Sequence, residues 1–164
     1  MKMKIENLKD LFVHTLKDIY FAERQIVKAL PKMIKTAHSK ELAKALEGHL
    51  EETKEQVVRL EKVFKLVGAK AEGEECPAIE GILDEAEELM SEINDPETRD
   101  AAMIGAAQAV EHYEITRYGT LIAWGELLGF NDAVKLLAAT SQEEHNANSR
   151  LTKIAESKLN EEAA

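Results

Sequence analysis

The chain has 164 residues, 45% hydrophobic and 32% charged, which suits a single globular domain with a substantial core. Its formal net charge of −10 argues against nonspecific binding to nucleic acid or anionic membrane, since both need positive charge. No stretch approaches the roughly 20 consecutive apolar residues that span a bilayer, and an aromatic content of 5% is poor for a sheet-rich core.

The first residues, Met1-Lys2-Met3-Lys4, lack the apolar block and small-residue cleavage site of a secretion signal. Cys76 is alone and cannot form an intrachain disulfide. Both point to the cytoplasm. Leu8, Leu11/Phe12, Leu16, Ile19, Glu23, Ile26 and Leu30 recur at helical spacing and define a first long helix. Pro31 predicts a kink or a short break there, with Lys32-Met33-Ile34-Lys35 continuing the phase. Ser39 is placed to cap a second helix with Glu41 in its first turn. Leu42, Leu46, His49, Thr53, Gln56, Leu60, Val63 and Val67 form its stripe, and Gly68 ends it.

Ala69 to Cys76 is the least regular stretch. Pro77 opens a shorter helix facing inward through Ile79, Ile82/Leu83, Ala86, Leu89/Met90 and Ile93. Asn94-Asp95-Pro96-Glu97 reads as a turn into a third long helix, with the stripe Met103/Ile104, Ala107, Glu111, Glu114, Tyr118, Leu121 and Gly125. A fourth begins near Asn131 and carries Ala133, Leu137, Thr140, Glu144, Ala147, Leu151 and Ile154, with Leu159 to Ala164 expected to fray. The pattern predicts an all-α, four-helix bundle over residues 1–164. A short extra helix lies in the long crossover between the second and third long helices, which lets those two run parallel.

Each long helix has acid near the middle of its apolar stripe: Glu23; His49 and Glu52; Glu111 and Glu114; Glu144. Counting from the turn near Ser39, Glu23 and Glu52 differ in height by roughly 5 Å, and Glu114 and Glu144 about the turn near Asn131 by a similar amount. These side chains are therefore expected to share one layer. Buried together they would repel, and two divalent cations remove that conflict. Iron is the preferred pair, with manganese or zinc as alternatives. Gln56, His112 and Asp18 are candidates to orient the ligands, and Tyr118 is the tyrosine that periodicity turns inward. Glu51, Glu55 and Glu143 are expected to be ordinary solvated helix acids, and His14, His38 and His145 surface residues. Met33, Met90 and Met103 read as core filler.

Ala22-Glu23-Arg24-Gln25, His49-Leu50-Glu51-Glu52-Thr53 with Gln56, Glu80-Gly81 with Glu85-Ala86, Arg99-Asp100-Ala101-Ala102, Val110-Glu111-His112-Tyr113-Glu114-Ile115 with Tyr118-Gly119-Thr120, and Glu143-Glu144 occur in order along nearly the whole chain. With these the sequence resembles the bacterial ferritin-like family of the YciF/YciE type, relatives of the rubrerythrins. The resemblance implies a cytoplasmic, dimeric helical bundle linked to stress responses. The wider ferritin-like scheme places Glu on two helices and Glu-x-x-His on the other two. Here His49-x-x-Glu52 is reversed, Glu111-x-x-Glu114 replaces one motif, and Ala147 follows Glu144 where a His would stand.

The expected function is a di-metal carboxylate protein handling oxygen, peroxide or ferrous iron under stress. Against it stand a non-catalytic structural or stress protein with a vestigial site, and a partner-binding module. The latter would use Phe12, Phe21, Trp124, Leu127, Leu128 and Phe130 as an apolar face, buried between subunits of a homodimer.

Overall fold

The computed structural model describes residues 4–164, and all of its regular structure is helical. Met1 to Met3, part of the stretch read as free of a secretion signal, lie outside the described residues. Four long helices are joined as α1 (Leu8–Thr36), α2 (Lys40–Leu66), α4 (Pro96–Leu127) and α5 (Asn131–Ile154), with the shorter α3 (Pro77–Glu92) in the connection between α2 and α4. This is the expected bundle with a helix in its crossover.

The ends follow from local chemistry. The side chains of Asn7, Ser39 and Asp95 accept the amides of Asp10, Leu42 and Thr98, and so cap α1, α2 and α4. Pro77 and Pro96 occupy first turns, where a missing N–H costs nothing. Gly129 adopts φ 73°, which lets the Phe130 amide reach back to the Gly125 carbonyl at 2.9 Å and close α4. Helix α1 runs unbroken through Pro31, so the expected short break does not occur. The ring lies on the exposed side, where water can satisfy the carbonyl left without a donor.

Helix α1 packs on α2 and α4, and α5 packs on α4 and α2, so the four long helices enclose one core. Asp100, at the start of α4, accepts the backbone amides of His38 and Ser39 in the α1–α2 turn at 2.9 and 2.6 Å. Helices α2 and α4 therefore both start at that end of the bundle and run parallel, as the crossover requires. At the opposite end Gly125 lets α4 and α5 meet. A Cβ there would lie 2.8 Å from Val134 Cγ2 and 3.4 Å from the Phe12 ring.

Three sequence expectations are corrected by packing. Phe12 is not on an exposed face: it is fully buried and sits against Phe130 with ring centroids 5.4 Å apart, plugging the α4–α5 turn. The crossover helix α3 is shallower than its pattern implied. Only Ile79 and Ala86 on it are buried, and Leu89 is exposed, because α3 lies mainly along α4. The C-terminus does not fray at Leu159: α5 passes into a π-helical turn, Ala155–Leu159, that buries both Ala155 and Leu159, and a last turn α6 spans Asn160–Glu162. No helix is long and apolar enough to cross a membrane among the described residues.

Candidate metal centre

At mid-height the bundle interior turns from apolar to acidic. Glu23 of α1, His49 of α2, Glu111 and Glu114 of α4 and Glu144 of α5 are all buried, as the stripe positions require. His49, Glu111, Glu114 and Glu144 each offer a donor atom within 4.8 Å of the others. The His49 Nε2 atom stands 3.1 Å from Glu111 Oε1. Glu23 joins from α1, where it accepts a very short hydrogen bond from the Tyr118 hydroxyl.

These groups lack the partners that buried polar atoms normally have. Both carboxylate oxygens of Glu114 and of Glu144 are without a hydrogen-bond partner, as are Glu23 Oε2, Glu111 Oε2 and His49 Nδ1. Burial, reinforced by the neighbouring Glu144 carboxylate, pushes the Glu23 carboxyl up to about 8 from an ordinary 4.5. Burial first, and Glu144 second, push Glu111 up to about 11. Glu114 is raised well above its ordinary value by burial and then by Glu144, Glu23 and Glu111. Several carboxylates that cannot shed their charge into water, with oxygens free to donate, fit a divalent cation set of hard oxygen ligands plus one imidazole.

Residues 7–164 match the family described as a domain of unknown function, DUF892. The chain belongs to this family. Over 162 residues it is 40% identical to protein YciF of Escherichia coli strain K12, covering 98% of each chain. The crystal structure of that stress protein superposes with a TM-score of 0.91, over 95% of this chain and 99% of the other. YcfI from Rhodopseudomonas palustris is 51% identical with a TM-score of 0.90, covering 93% of this chain and 97% of its own. A Xanthomonas campestris pv. campestris protein at 20% identity shares the fold, with a TM-score of 0.73 over 92% of each chain. The resemblance to the YciF/YciE type is therefore a relationship across the whole DUF892 domain.

Not every residue singled out from the DUF892 sequence lies in the cluster. Glu52 stands at its margin, one third exposed, with His49 Nδ1 3.9 Å away and the Arg150 guanidinium donating to Oε2 at 2.7 Å. The imidazole, then the guanidinium, hold its carboxyl below the ordinary value. Tyr118 is fully buried on Glu23, and burial followed by the Glu23 charge raises its hydroxyl well above the ordinary phenol. Gln56 is buried, but its amide donates at 3.0 Å to Glu143, not to a cluster carboxylate. His112 is exposed, because it follows Glu111 by one residue and so is turned about 100° away. Asp18 pairs instead with His14 at 3.5 Å, and His14 in turn reaches Glu74 at 3.3 Å.

Sequence reasoning passed over Arg59, Glu143 and Arg150. Glu143 is not an ordinary solvated acid: Arg59 grips both its oxygens at 2.8 and 2.9 Å and also donates to Thr140 at 2.7 Å. The available signal was Arg59 three residues beyond Gln56, which puts both on one flank of α2. Cys76, the lone cysteine, is buried with its Sγ 3.2 Å from the Tyr113 hydroxyl.

Proposed function

We propose that this chain is a carboxylate-bridged metal protein of the stress response, holding two divalent ions, iron by preference with manganese or zinc as alternatives. The carrying observation is the set of buried oxygens on Glu111, Glu114 and Glu144 that have no protein partner, facing His49. Glu111, Glu114, Glu144 and His49 would form the core of the ligand set, with Glu23 and Glu52 supplying further carboxylates. A redox-active pair held there would supply the two electrons that reduction of oxygen or peroxide requires.

The chain's own residues bind, orient and seclude. Tyr118 donates its hydroxyl proton to Glu23 Oε1 and so fixes the rotamer of that carboxylate, leaving Oε2 free. The Arg59–Glu143–Gln56 layer ties α2 to α5 beside the cluster. The side chains of Leu46, Ala147 and Leu151 line the narrow approach to His49 and Glu111 and keep bulk water out. The stress role rests on kinship with the stress protein YciF. The cytoplasmic, homodimeric setting rests on the family resemblance and on exposed apolar side chains such as Leu127, 79% exposed, and Leu66, 52% exposed.

Anaerobic loading with Fe(II) or Mn(II), followed by metal analysis and anomalous scattering at the two absorption edges from loaded crystals, tests this reading. The expected result is two ions ligated by the residues named. Less than one equivalent per chain would overturn it and favour the non-catalytic alternative. Sedimentation at several concentrations tests the dimer, and a monomer throughout would remove it.

A further inference from the structure

One narrow cavity lies between the exposed Arg150 and His49 and Glu111 of the acidic layer. It is lined by Ala45, Leu46, His49, Glu111, Ala147 and Arg150, with Leu151 beside them, and its volume of about 10 Å³ is roughly that of one water molecule. Its walls are short or apolar except at two places. The inner end carries His49 and Glu111, members of the cluster. The outer end carries Arg150, 43% exposed and bonded to the Glu52 carboxylate at 2.7 Å. A fixed positive charge thus stands in the approach to a site that would take positive ions, and it occupies the acid nearest to solvent.

We propose that Arg150 is a positioning residue that controls metal entry: its ion pair with Glu52 closes the approach between α2 and α5, and an incoming cation must displace the guanidinium and take Glu52 as its first ligand. This rests on the metal reading given above. Three observations converge on it. Glu52 is the one candidate ligand that combines substantial exposure with a cationic partner, whereas Glu111, Glu114 and Glu144 are buried. His49 Nδ1 is buried without a hydrogen bond and lies 3.9 Å from the same Glu52 oxygen that Arg150 holds, so that oxygen sits between the gate and the cluster. Finally, Arg150 lines the cavity that His49 and Glu111 also line, so its side chain cannot move without widening or closing that path.

Charge chemistry gives the consequence. A guanidinium repels a dication at short range and competes with it for the same carboxylate. Releasing Glu52 removes both obstacles, and the freed carboxylate draws the cation toward His49. Arg150 thus favours ions that can displace a bidentate-capable guanidinium from an acid, divalent metals over monovalent ones.

The test follows Co(II) uptake by its visible absorption in stopped flow, a readout independent of turnover. Arg150→Ala should take up Co(II) about five- to tenfold faster than the parent, the scale of one charge-assisted contact at a half-exposed position. Arg150→Lys should stay near the parent rate. Lys153→Ala, an equal charge loss on the exposed side of α5, should change the rate less than twofold, which separates the gate from general electrostatics. In a Glu52→Gln background the Arg150→Ala change should speed uptake less, because only the charge repulsion is left to remove. Uptake by the parent with an unchanged rate in Arg150→Ala overturns the gate and leaves the metal centre standing. No Co(II) spectrum in any variant, with helix content intact by circular dichroism, overturns both.

Discussion

Glu143 and Glu144 are neighbours in sequence on α5, yet the fold treats them in opposite ways. Glu143 is gripped through both oxygens by Arg59 and takes a further bond from Gln56, while Glu144, fully buried, has neither oxygen paired. Asp100, also buried, shows a third treatment, with two backbone amides donated to it at the α1–α2 turn. A chain that satisfies buried acids by a guanidinium in one place and by amides in another could have done so at the central layer. It leaves that layer open on three helices at one height. An unpaired buried carboxylate costs several kcal/mol when charged, so this openness is tolerable only if something else compensates it.

The comparison can be broken most decisively at the unpaired acids. Glu111→Ala and Glu144→Ala should each weaken Co(II) or Mn(II) binding more than about a hundredfold, since each would remove a proposed direct ligand where an indirect partner alone is worth 10- to 100-fold. Calorimetric titration measures this, and unchanged stoichiometry in both would refute the assignment. Glu52→Ala, at the margin, should weaken binding less than either.

Stability against pH sharpens it next. Glu23 is raised from 4.5 to about 8 and Glu111 to about 11, so in metal-free protein each binds its proton more tightly folded than unfolded. That stability is fully present below about pH 4.5 and is lost as pH rises through the folded values. Between pH 5 and 8 the metal-free melting temperature should therefore fall, each such group adding a slope of up to about 1.4 kcal/mol per pH unit. Saturating metal should flatten the slope, and Glu111→Gln should reduce it, with little effect near pH 4.5. A metal-free melting temperature that rises across this range would contradict the electrostatics of the layer.

The satisfied acids should behave as ordinary structural groups. Asp100→Ala should cost about 2–3 kcal/mol in urea unfolding, because it orphans two amides that tie α4 to the α1–α2 turn. Arg59→Met should cost about 1–2 kcal/mol, reduced from a fully buried pair because Arg59 and Glu143 remain 19% and 29% exposed. Neither should change metal stoichiometry. Loss of metal in Arg59→Met with the bundle intact would mean that the two treatments of adjacent acids are not separate.

The fold was largely legible because its signals are local. Helical spacing, the caps Ser39 and Asp95, the prolines at helix starts and Gly68 as a terminator all act within a turn or two of their own position. The buried acids were legible for the same reason, since a stripe position declares itself inward whatever occupies it. Partners across helices were not. Nothing in the periodicity of α5 says that Arg150 meets Glu52 or that Glu143 meets Arg59, because those pairs depend on the relative rotation of α2 and α5. Phe12 was misplaced for a related reason: its burial is set by Phe130 and Gly125, more than a hundred residues away. The π-helical turn at Ala155–Leu159 likewise depends on what Leu159 finds to pack against.

The bare backbone at Gly125 works as a pivot with no spare clearance. A methyl group there would meet Val134 Cγ2 at 2.8 Å, so Gly125→Ala acts as a shim driven into the closed end of the α4–α5 hairpin. The same two rods carry Glu111, Glu114 and Glu144 farther along, and a wedge at the hinge opens the gap between them. The outcome to look for is looser retention of Co(II) in a protein whose helix content is unchanged.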